Sequence, residues 1–335
     1  MSTREELQTV VEAAVWAPSV HNSQPWSFAI AGEEISLRAD TDRRLRVGDP
    51  EGRQLLLSCG AALFNMRTAV RAMGHVPVVR VLPDPDRPAL LATVRIGAAE
   101  PVEERVEAIR AEIPRRRTHR AGFTDRPIPE RVLEALVKEA NREGALLTPV
   151  RSPAAVRILS ALTTAAQHVE AEDQAFGLEM IRWGRRPGNS RRDGVPAESY
   201  PRQTGQTSPD FPQRDYAHGQ GWGSPDDQSM ATETGVVALL TTRTDTRMDW
   251  LHAGQALQAV LLHAATHGIG AAFHTQLLEY EHLRAFVAEE LCSGQFPQMV
   301  MRLGYPPDRG EGVRRPLGEV VTEGQSPIGH TMGLT

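Results

Sequence analysis

Polar side chains that could bind a ligand are concentrated in one proline-bounded segment near the start of the chain. Residues 17–26 read Ala-Pro-Ser-Val-His-Asn-Ser-Gln-Pro-Trp. Their hydroxyl, imidazole and amide groups donate and accept hydrogen bonds. Because proline fixes φ and excludes helix, we expect a rigid, extended elbow that displays these groups, with an ordinary surface loop as the alternative. The polar residues that the elbow displays are Ser19, His21, Asn22, Ser23 and Gln24.

Arginine supplies almost all of the basic charge, since Lys138 is the only lysine in the sequence. Arginines form a run within residues 115–120 and a pair at Arg314 and Arg315. A guanidinium group presents a planar fork of donors that suits phosphate oxygens, so each cluster is a candidate phosphate site. A solvated basic surface is the alternative for both clusters.

Length and composition describe an ordinary soluble protein. The chain has 335 residues, of which 40% are hydrophobic, enough for a substantial core. The net charge is −5 without a basic stripe, which argues against nucleic acid as a partner. Cys59 and Cys292 are isolated thiols, and no leader or membrane-spanning pattern is visible. We expect a cytoplasmic protein that does not associate with membranes.

Hydrophobic periodicity predicts an α+β fold in which two long apolar helices, at residues 54–73 and 250–267, pack on antiparallel or mixed sheets. Further helices are predicted before Pro18, at 130–141 and, as one or two helices, at 152–182. The predicted strands cover residues 26–30, 35–38, 76–82, 91–96, 234–242 and 299–304.

The two long helices indicate an internal duplication. Alignment of Gly60 with Gly254 also superposes Gly74 on Gly268, the glycine that ends each helix. We therefore divide the chain into a first half at 1–110 and a second half at 111–335. The stretch 184–228 interrupts the second half and is rich in Gly, Pro, Ser and Arg. Its scattered aromatic residues favour a lid over a disordered linker.

The elbow pattern Pro-Ser-x-x-Asn-x-Gln-Pro-Trp resembles the segment by which nitroreductase-family flavoproteins enclose FMN. The arginine run resembles the opening of the same family, with Arg116, Thr118 and Arg120 at matching positions and Gly122 as an extra residue. The segment around Arg314 and Arg315, after Gly-Tyr-Pro, resembles its C-terminal phosphate-binding segment. The fused halves and the insertion resemble the Acg-like branch of the family.

The resemblance implies a nitroreductase-like fold and a single FMN site per chain, so that the duplicated chain is a monomer that mimics a dimer. In nitroreductases the elbow and the arginines typically come from different subunits, whereas here they come from different halves. Gly270 and Thr275 correspond to residues that usually line the flavin. The cofactor-binding set is therefore Pro18, Ser19, Asn22, Gln24, Arg116, Thr118, Arg120, Gly270, Thr275, Arg314 and Arg315, with no separate catalytic side chain.

The implied function is ping-pong hydride transfer from NAD(P)H through FMN to a nitroaromatic, a quinone or a similar aromatic acceptor. Storage or sequestration of FMN beneath the insertion, with little or no turnover, is the alternative. A zinc hydrolase is a third hypothesis, since His263 and His267 share a helix face, but Ala264 stands where the metalloprotease motif requires Glu. A Rossmann fold is disfavoured because no strand precedes a Gly-x-Gly-x-x-Gly motif.

Overall fold

The computed structural model describes residues 3–203, 205–217, 219–224, 231–308 and 310–323. Its helices are α1 (Thr3–Ala14), α2 (Arg53–Ala72), α3 (Glu104–Glu112), α4 (Glu130–Arg142), α5 (Pro153–Glu172), α6 (Gln174–Trp183), α7 (Arg247–Thr266), α8 (Gln276–Glu279), α9 (Glu281–Leu291) and α10 (Leu317–Val320). Its strands are β1 (Trp26–Ala31), β2 (Glu34–Ala39), β3 (His75–Val81), β4 (Leu90–Ala99), β5 (Leu146–Pro149), β6 (Gln206–Thr207), β7 (Phe211–Pro212), β8 (Val236–Thr242), β9 (Gly270–Phe273), β10 (Phe296–Gly304) and β11 (Val321–Glu323). The predicted α+β class is confirmed, and none of the described helices has the length and apolar content needed to cross a membrane.

Two sheets with the same strand order flank the central helices. The first sheet runs β11-β1-β2-β4-β3, and its four strands from the first 110 residues pair antiparallel. The second sheet runs β5-β8-β10-β9 and is also antiparallel. The order β1-β2-β4-β3 therefore matches β5-β8-β10-β9 in position and direction. Strand β11, near the end of the described chain, pairs parallel with β1 and ties the second part of the chain to the first sheet.

Helices α2 and α7 cross at the centre of the core through their glycines. A β-carbon on Gly60 would lie 2.2 Å from the carbonyl oxygen of Leu251, and one on Gly254 would lie 2.1 Å from that of Leu57. These helices were predicted to within a few residues because both are apolar on nearly every face. Glycine is therefore required at this crossing.

The elbow is not extended, so the prediction for its conformation was wrong. Residues Val20–Asn22 form a 3-10 turn in which the carbonyl of Val20 accepts the amide N–H of Ser23 at 2.9 Å. His21, Asn22 and Gln24 have φ values of 47°, 53° and 51°. The prolines restrict only the two flanks, and the central residues are folded by local hydrogen bonds.

The insertion is folded where the structure describes it. Tyr200 and Phe211 are almost fully buried, and β6 and β7 form a short hairpin within it. Positions 204, 218 and 225–228 of the predicted lid lie outside the described residues. The segment before it contains two helices, α5 and α6, which separate where Asp173 caps the N-terminus of α6.

Candidate functional site

The elbow is held in place by hydrogen bonds to three other parts of the chain. Asn22 Nδ2 donates to the carbonyl of Gly194 in the insertion at 2.9 Å, and Asn22 Oδ1 accepts from Arg314 Nη1 at 3.1 Å. The amide N–H of Val20 donates to Ser58 Oγ on α2 at 3.2 Å. The elbow therefore joins the central helix, the insertion and the C-terminal arginines into one site.

Gln24 and Arg315 are not part of the walls of the two cavities beside the elbow that are described below. Gln24 is fully buried, and its amide donates to the carbonyl of Arg192 at 2.9 Å and accepts the backbone N–H of Arg315 at 2.8 Å. The guanidinium of Arg315 pairs with Glu319 at 3.3 Å and lies 3.8 Å from Asp40. Their contacts indicate that both residues support the elbow, in contrast to the ligand contact that the sequence pattern implies.

Arg116, Arg117, Arg120 and Arg314 surround a cavity beneath the elbow, which we call the arginine cavity. Its other walls come from Pro18, Ser19, Asn22, Thr118, Pro196, Ser199 and residues 311–313. The elbow belongs to the first part of the chain and the arginines to the second. The structure thus brings together the two segments that the sequence pattern paired.

Arg116 is the feature of this cavity that most clearly requires a ligand. It is 5% exposed, and its Nε and Nη1 atoms have no hydrogen-bond partner among the described residues. Burial, with the neighbouring charges of Arg117 and Arg120, lowers the pKa of Arg116 to about 9. Because a guanidinium stays protonated in proteins, this shift expresses the free-energy cost of a buried charge that lacks an anion.

Arg314 also lines the arginine cavity and is hydrogen-bonded to the start of the elbow. Its Nη2 donates to the carbonyls of Trp16 and Ala17 at 3.1 and 3.2 Å, while its Nε has no partner among the described residues. Burial, together with the charges of Arg116, Arg117 and Arg120, lowers the pKa of Arg314 well below its ordinary value. An anion in this cavity would offset the repulsion among these arginines.

A second cavity, which we call the inner cavity, adjoins the first and is mostly apolar. The two share Pro18, Ser19, Thr118 and Arg120. The inner cavity continues between α2 and α7 to Leu57, Ala61, Leu257, Phe273, Thr275 and Met299. A mostly apolar space that opens onto a cluster of cations suits a ligand with an aromatic ring and an anionic tail.

Thr118 and Arg120 are positioned by β9 and by the insertion. Thr118 forms an isolated bridge with Ala271 of β9, and the N–H of His119 donates to the carbonyl of Ala271 at 2.8 Å. Arg120 Nη1 donates to Ser199 Oγ at 3.3 Å, and its guanidinium lies 5.4 Å from the ring centroid of Tyr216. Arg120 therefore contacts the insertion as well as both cavities.

Gly270 lies apart from the inner cavity. It lines a third space, the outer cavity, together with Pro306 and His119, and this space shares Arg116 and Arg120 with the arginine cavity. Thr275, in contrast, is at the wall of the inner cavity. The resemblance therefore pointed to two residues that line different spaces, and it did not predict the strand that carries Gly270.

The contributors to the inner cavity that the predicted binding set lacks include two residues of the insertion and one of α2. Arg214 and Tyr216 enter from the insertion, and Gln54 enters from the first turn of α2. The insertion has no hydrophobic period that would place its side chains. The only signal in the sequence for these two side chains is that Arg214 and Tyr216 follow Phe-Pro-Gln in a segment that contains several aromatic residues.

The histidines of the zinc hypothesis form an edge-to-face pair at the C-terminal end of α7. The rings of His263 and His267 lie 5.3 Å apart, centroid to centroid. Within the described ranges, no three His, Cys, Asp or Glu side chains are arranged to hold a metal ion. Nothing in this arrangement supports a metal centre there.

The chain belongs to the nitroreductase family, whose sequence model matches residues 3–48 and 113–305. The two matched segments include the elbow and the arginine run. The predicted family, and with it the predicted nitroreductase-like fold, is confirmed.

Two full-length relatives come from Mycobacterium tuberculosis. "Putative NAD(P)H nitroreductase Rv3131" is 34% identical over 322 residues, which cover 95% of this chain and 91% of the relative. "Putative NAD(P)H nitroreductase acg" is 29% identical over 335 residues and 96% of each chain. These matches confirm the resemblance to the Acg-like branch. Among solved structures, the FMN-dependent nitroreductase NfnB from Mycobacterium smegmatis, in complex with NADPH, aligns with 66% of this chain and 100% of its own at 20% identity and a TM-score of 0.40.

Proposed function

We propose that this protein is an FMN-dependent NAD(P)H oxidoreductase of nitroreductase type. The observation that carries the proposal is Arg116, a buried guanidinium with two unpartnered nitrogens where the elbow meets the arginine run. A phosphate group would accept from those donors and neutralise the charge. Family membership supports a flavin phosphate as that anion.

In this proposal the arginine cavity holds the phosphate and the inner cavity holds the flavin ring. Arg116 and Arg314 face the phosphate, while Pro18 and Ser19 form the wall that the two cavities share. Thr118, Arg120 and Thr275 border the ring. Asn22, Gln24 and Arg315 keep the elbow in shape, and Gly270 supports the arginine run from behind.

Bound FMN would supply hydride transfer between NAD(P)H and an aromatic acceptor such as a nitroaromatic or a quinone. The side chains of the two cavities would bind and orient the cofactor and the acceptor, and they would exclude water. Leu57, Leu257 and Met299 give the inner cavity its apolar walls, and Tyr216 covers it from the insertion.

Storage of FMN with little turnover is the second candidate, and the insertion favours it. Arg214 and Tyr216 enter the inner cavity from the insertion, and Arg120 contacts Ser199 and Tyr216. A closed insertion would slow both the exchange of FMN and the entry of a hydride donor. In both candidates we propose that the insertion is a lid.

An internal duplication would explain why one chain provides a complete site. The matching strand orders of the two sheets and the reciprocal contacts of Gly60 and Gly254 support it. The first half contributes the elbow and the second half contributes the arginine run. We propose one FMN per chain, a monomeric protein and a cytoplasmic location.

Anaerobic reduction distinguishes an oxidoreductase from an FMN storage protein. FMN-saturated protein is mixed with NADPH, then in a separate sample with NADH, and the flavin absorbance is followed before a nitroaromatic or quinone is added. Bleaching within seconds and recovery with the acceptor support the enzyme. Reduction by dithionite but by neither nucleotide supports storage, and an absence of bound flavin rejects both.

A further inference from the structure

Two buried carboxyl groups meet one arginine behind the wall of the inner cavity. Arg214 Nη2 lies 3.3 Å from Glu170 Oε1, and Arg214 Nη1 lies 3.5 Å from Glu279 Oε1. All three side chains are between 4% and 6% exposed. The cluster joins α5, the insertion and α8, and the proposed flavin chemistry makes no use of it.

One guanidinium therefore faces two buried carboxyl groups, and Glu279 Oε2 is buried with no hydrogen-bond partner among the described residues. Two carboxylates against one cation would bury an uncompensated negative charge, so one of the two carboxyl groups carries a proton. Arg214 then balances the single remaining negative charge. A neutral cluster of this kind costs far less to bury than one with an excess charge.

A hydroxyl group connects the pair to the inner cavity. Thr275 Oγ1 donates to Glu279 Oε1 at 2.9 Å, and Thr275 is itself part of the cavity wall. Gln54 also donates to Glu279 Oε1, at 3.3 Å, but an amide does not exchange its proton as a hydroxyl does. Thr275 is therefore the group suited to relay a proton.

We infer that Glu170 and Glu279 store one proton beside Arg214 and that Thr275 delivers it to an acceptor in the inner cavity. This inference rests on the proposed oxidoreductase function. A quinone that receives a hydride also needs a proton on its oxygen, and Thr275 presents a hydroxyl group at the wall of the inner cavity.

The step conserves charge and atoms. The O–H bond of the protonated carboxyl breaks, its proton passes to Thr275 Oγ1, and the hydroxyl proton that Thr275 held passes to the acceptor oxygen. The acceptor thus gains a hydride from the reduced cofactor and a proton from the protein. The pair is left as two carboxylates around Arg214, and it regains a proton from solvent after the product leaves.

The surrounding charges fix the pH range in which the store is full. Burial, opposed by the charge of Arg214 and assisted by Glu279, raises the pKa of Glu170 to about 8. Further charged or titratable groups around the pair and Arg214 include Asp49, Arg53, Asp173, Tyr216 and Tyr280. Because burial raises the pKa of Asp49 only to about 6, a proton present at pH 7 is attributable to the pair.

Infrared spectroscopy of the flavin-free protein tests the store without any turnover. At pH 7 we expect a protonated-carboxyl C=O band that disappears as the pH rises through about 8. Glu170→Gln keeps the shape of the side chain and an oxygen that can accept from Arg214, and it should remove this band. A wild-type spectrum without the band at pH 7, or a band that survives in Glu170→Gln, would overturn the inference.

Single-turnover kinetics test the delivery. FMN-loaded protein is reduced with dithionite and mixed with a quinone, and the return of flavin absorbance is followed between pH 6.5 and about 9.5, a range that spans the shifted pKa. We expect the wild-type rate to fall above pH 8, and Glu170→Gln to lose that dependence. Thr275→Val should slow the step by about 100-fold, whereas Thr275→Ser should retain the wild-type profile.

The infrared and kinetic experiments together distinguish a failure of the proton inference from a failure of the proposed oxidoreductase function. FMN affinity is measured for each variant, so that a loss of cofactor is not mistaken for a loss of proton delivery. If FMN does not bind, the proposed function fails while the infrared result still decides whether the pair holds a proton. Equal rates in Thr275→Val and Thr275→Ser would overturn the relay.

Discussion

Gly60 and Gly254 contact each other at the crossing of the two central helices, and a β-carbon on either would lie within 3.0 Å of the other's Cα atom. The contact is reciprocal, since each glycine also faces the carbonyl oxygen of the leucine three positions before the other. Equivalent positions of two repeated units meet in this way across a twofold axis. The crossing therefore links the packing of the core to the proposed duplication.

Gly60→Ala should destabilise the protein by about 1–3 kcal/mol or more, because the methyl group overlaps the backbone of α7. Gly177→Ala is the matched control, since α6 is equally helical there and no heavy atom of the described residues lies within 4 Å of the added β-carbon. That control should stabilise by roughly 0.5–1 kcal/mol. Urea denaturation measures both, and equal effects would contradict the packing described.

Arg116→Met should weaken FMN binding roughly 10- to 100-fold, because a charge-assisted hydrogen bond contributes about 1.5–3 kcal/mol. The flavin-free protein should keep or gain stability, since a buried unpaired charge is removed. Arg115→Met is the control, because the Arg115 side chain is 62% exposed. Fluorescence titration and thermal unfolding check the two effects. A loss of stability without a loss of affinity would assign Arg116 a structural role.

Most of the fold was predictable because its elements are long and periodic. Helices α2, α4 and α7 and the hairpin of β1 and β2 were located to within a few residues. Strands β5 and β9 and helices α8 and α9 were missed. The described length of β5 and β9 is four residues each, too short for a periodic signal.

Protonation of Asp245 in acid should lower the free energy of unfolding. Burial alone would raise the pKa of Asp245, but hydrogen bonds from Arg284, Gln298 and Trp250 outweigh it and lower the pKa to about 2. The stabilisation is therefore present above pH 4 and is lost as the pH falls through about 2.

Asp245→Asn should lower the free energy of unfolding at pH 7 and make little difference near pH 2. Asp86→Asn, at an exposed turn, serves as the control with no effect at either pH. Chemical denaturation at a series of pH values gives the comparison. A difference that stays constant with pH would show that the carboxylate charge is not what stabilises the fold.

Asp193→Asn should loosen the insertion and speed the release of FMN. Asp193 accepts from Arg43 Nη1 at 2.7 Å, beside the contact between Asn22 and Gly194 that joins the insertion to the elbow. The exposed Asp210 of the same insertion provides the control, Asp210→Asn. Stopped-flow dissociation should show a rate several-fold higher for the first variant alone. Identical rates would show that this ion pair does not retain the cofactor.

The candidate site was predictable only where it depends on local sequence. The elbow and the arginine run were found because their residue types and spacing are unusual, and the structure places them around common cavities. The sequence could not separate the roles of adjacent residues with the same side chain. Arg314 lines the arginine cavity, whereas Arg315 pairs with Glu319. Arg214 and Tyr216 depend on the path of the insertion, which no local pattern specifies.

Equilibrium titration of the flavin-free protein with FMN and with riboflavin tests the central claim most directly, since the two ligands differ only by the phosphate. The arginine cavity predicts one FMN per chain and an affinity for riboflavin at least about tenfold weaker, as expected for a lost charge-assisted interaction. Equal affinities for the two ligands, or no binding of FMN, would contradict the assignment of the arginine cavity to a flavin phosphate.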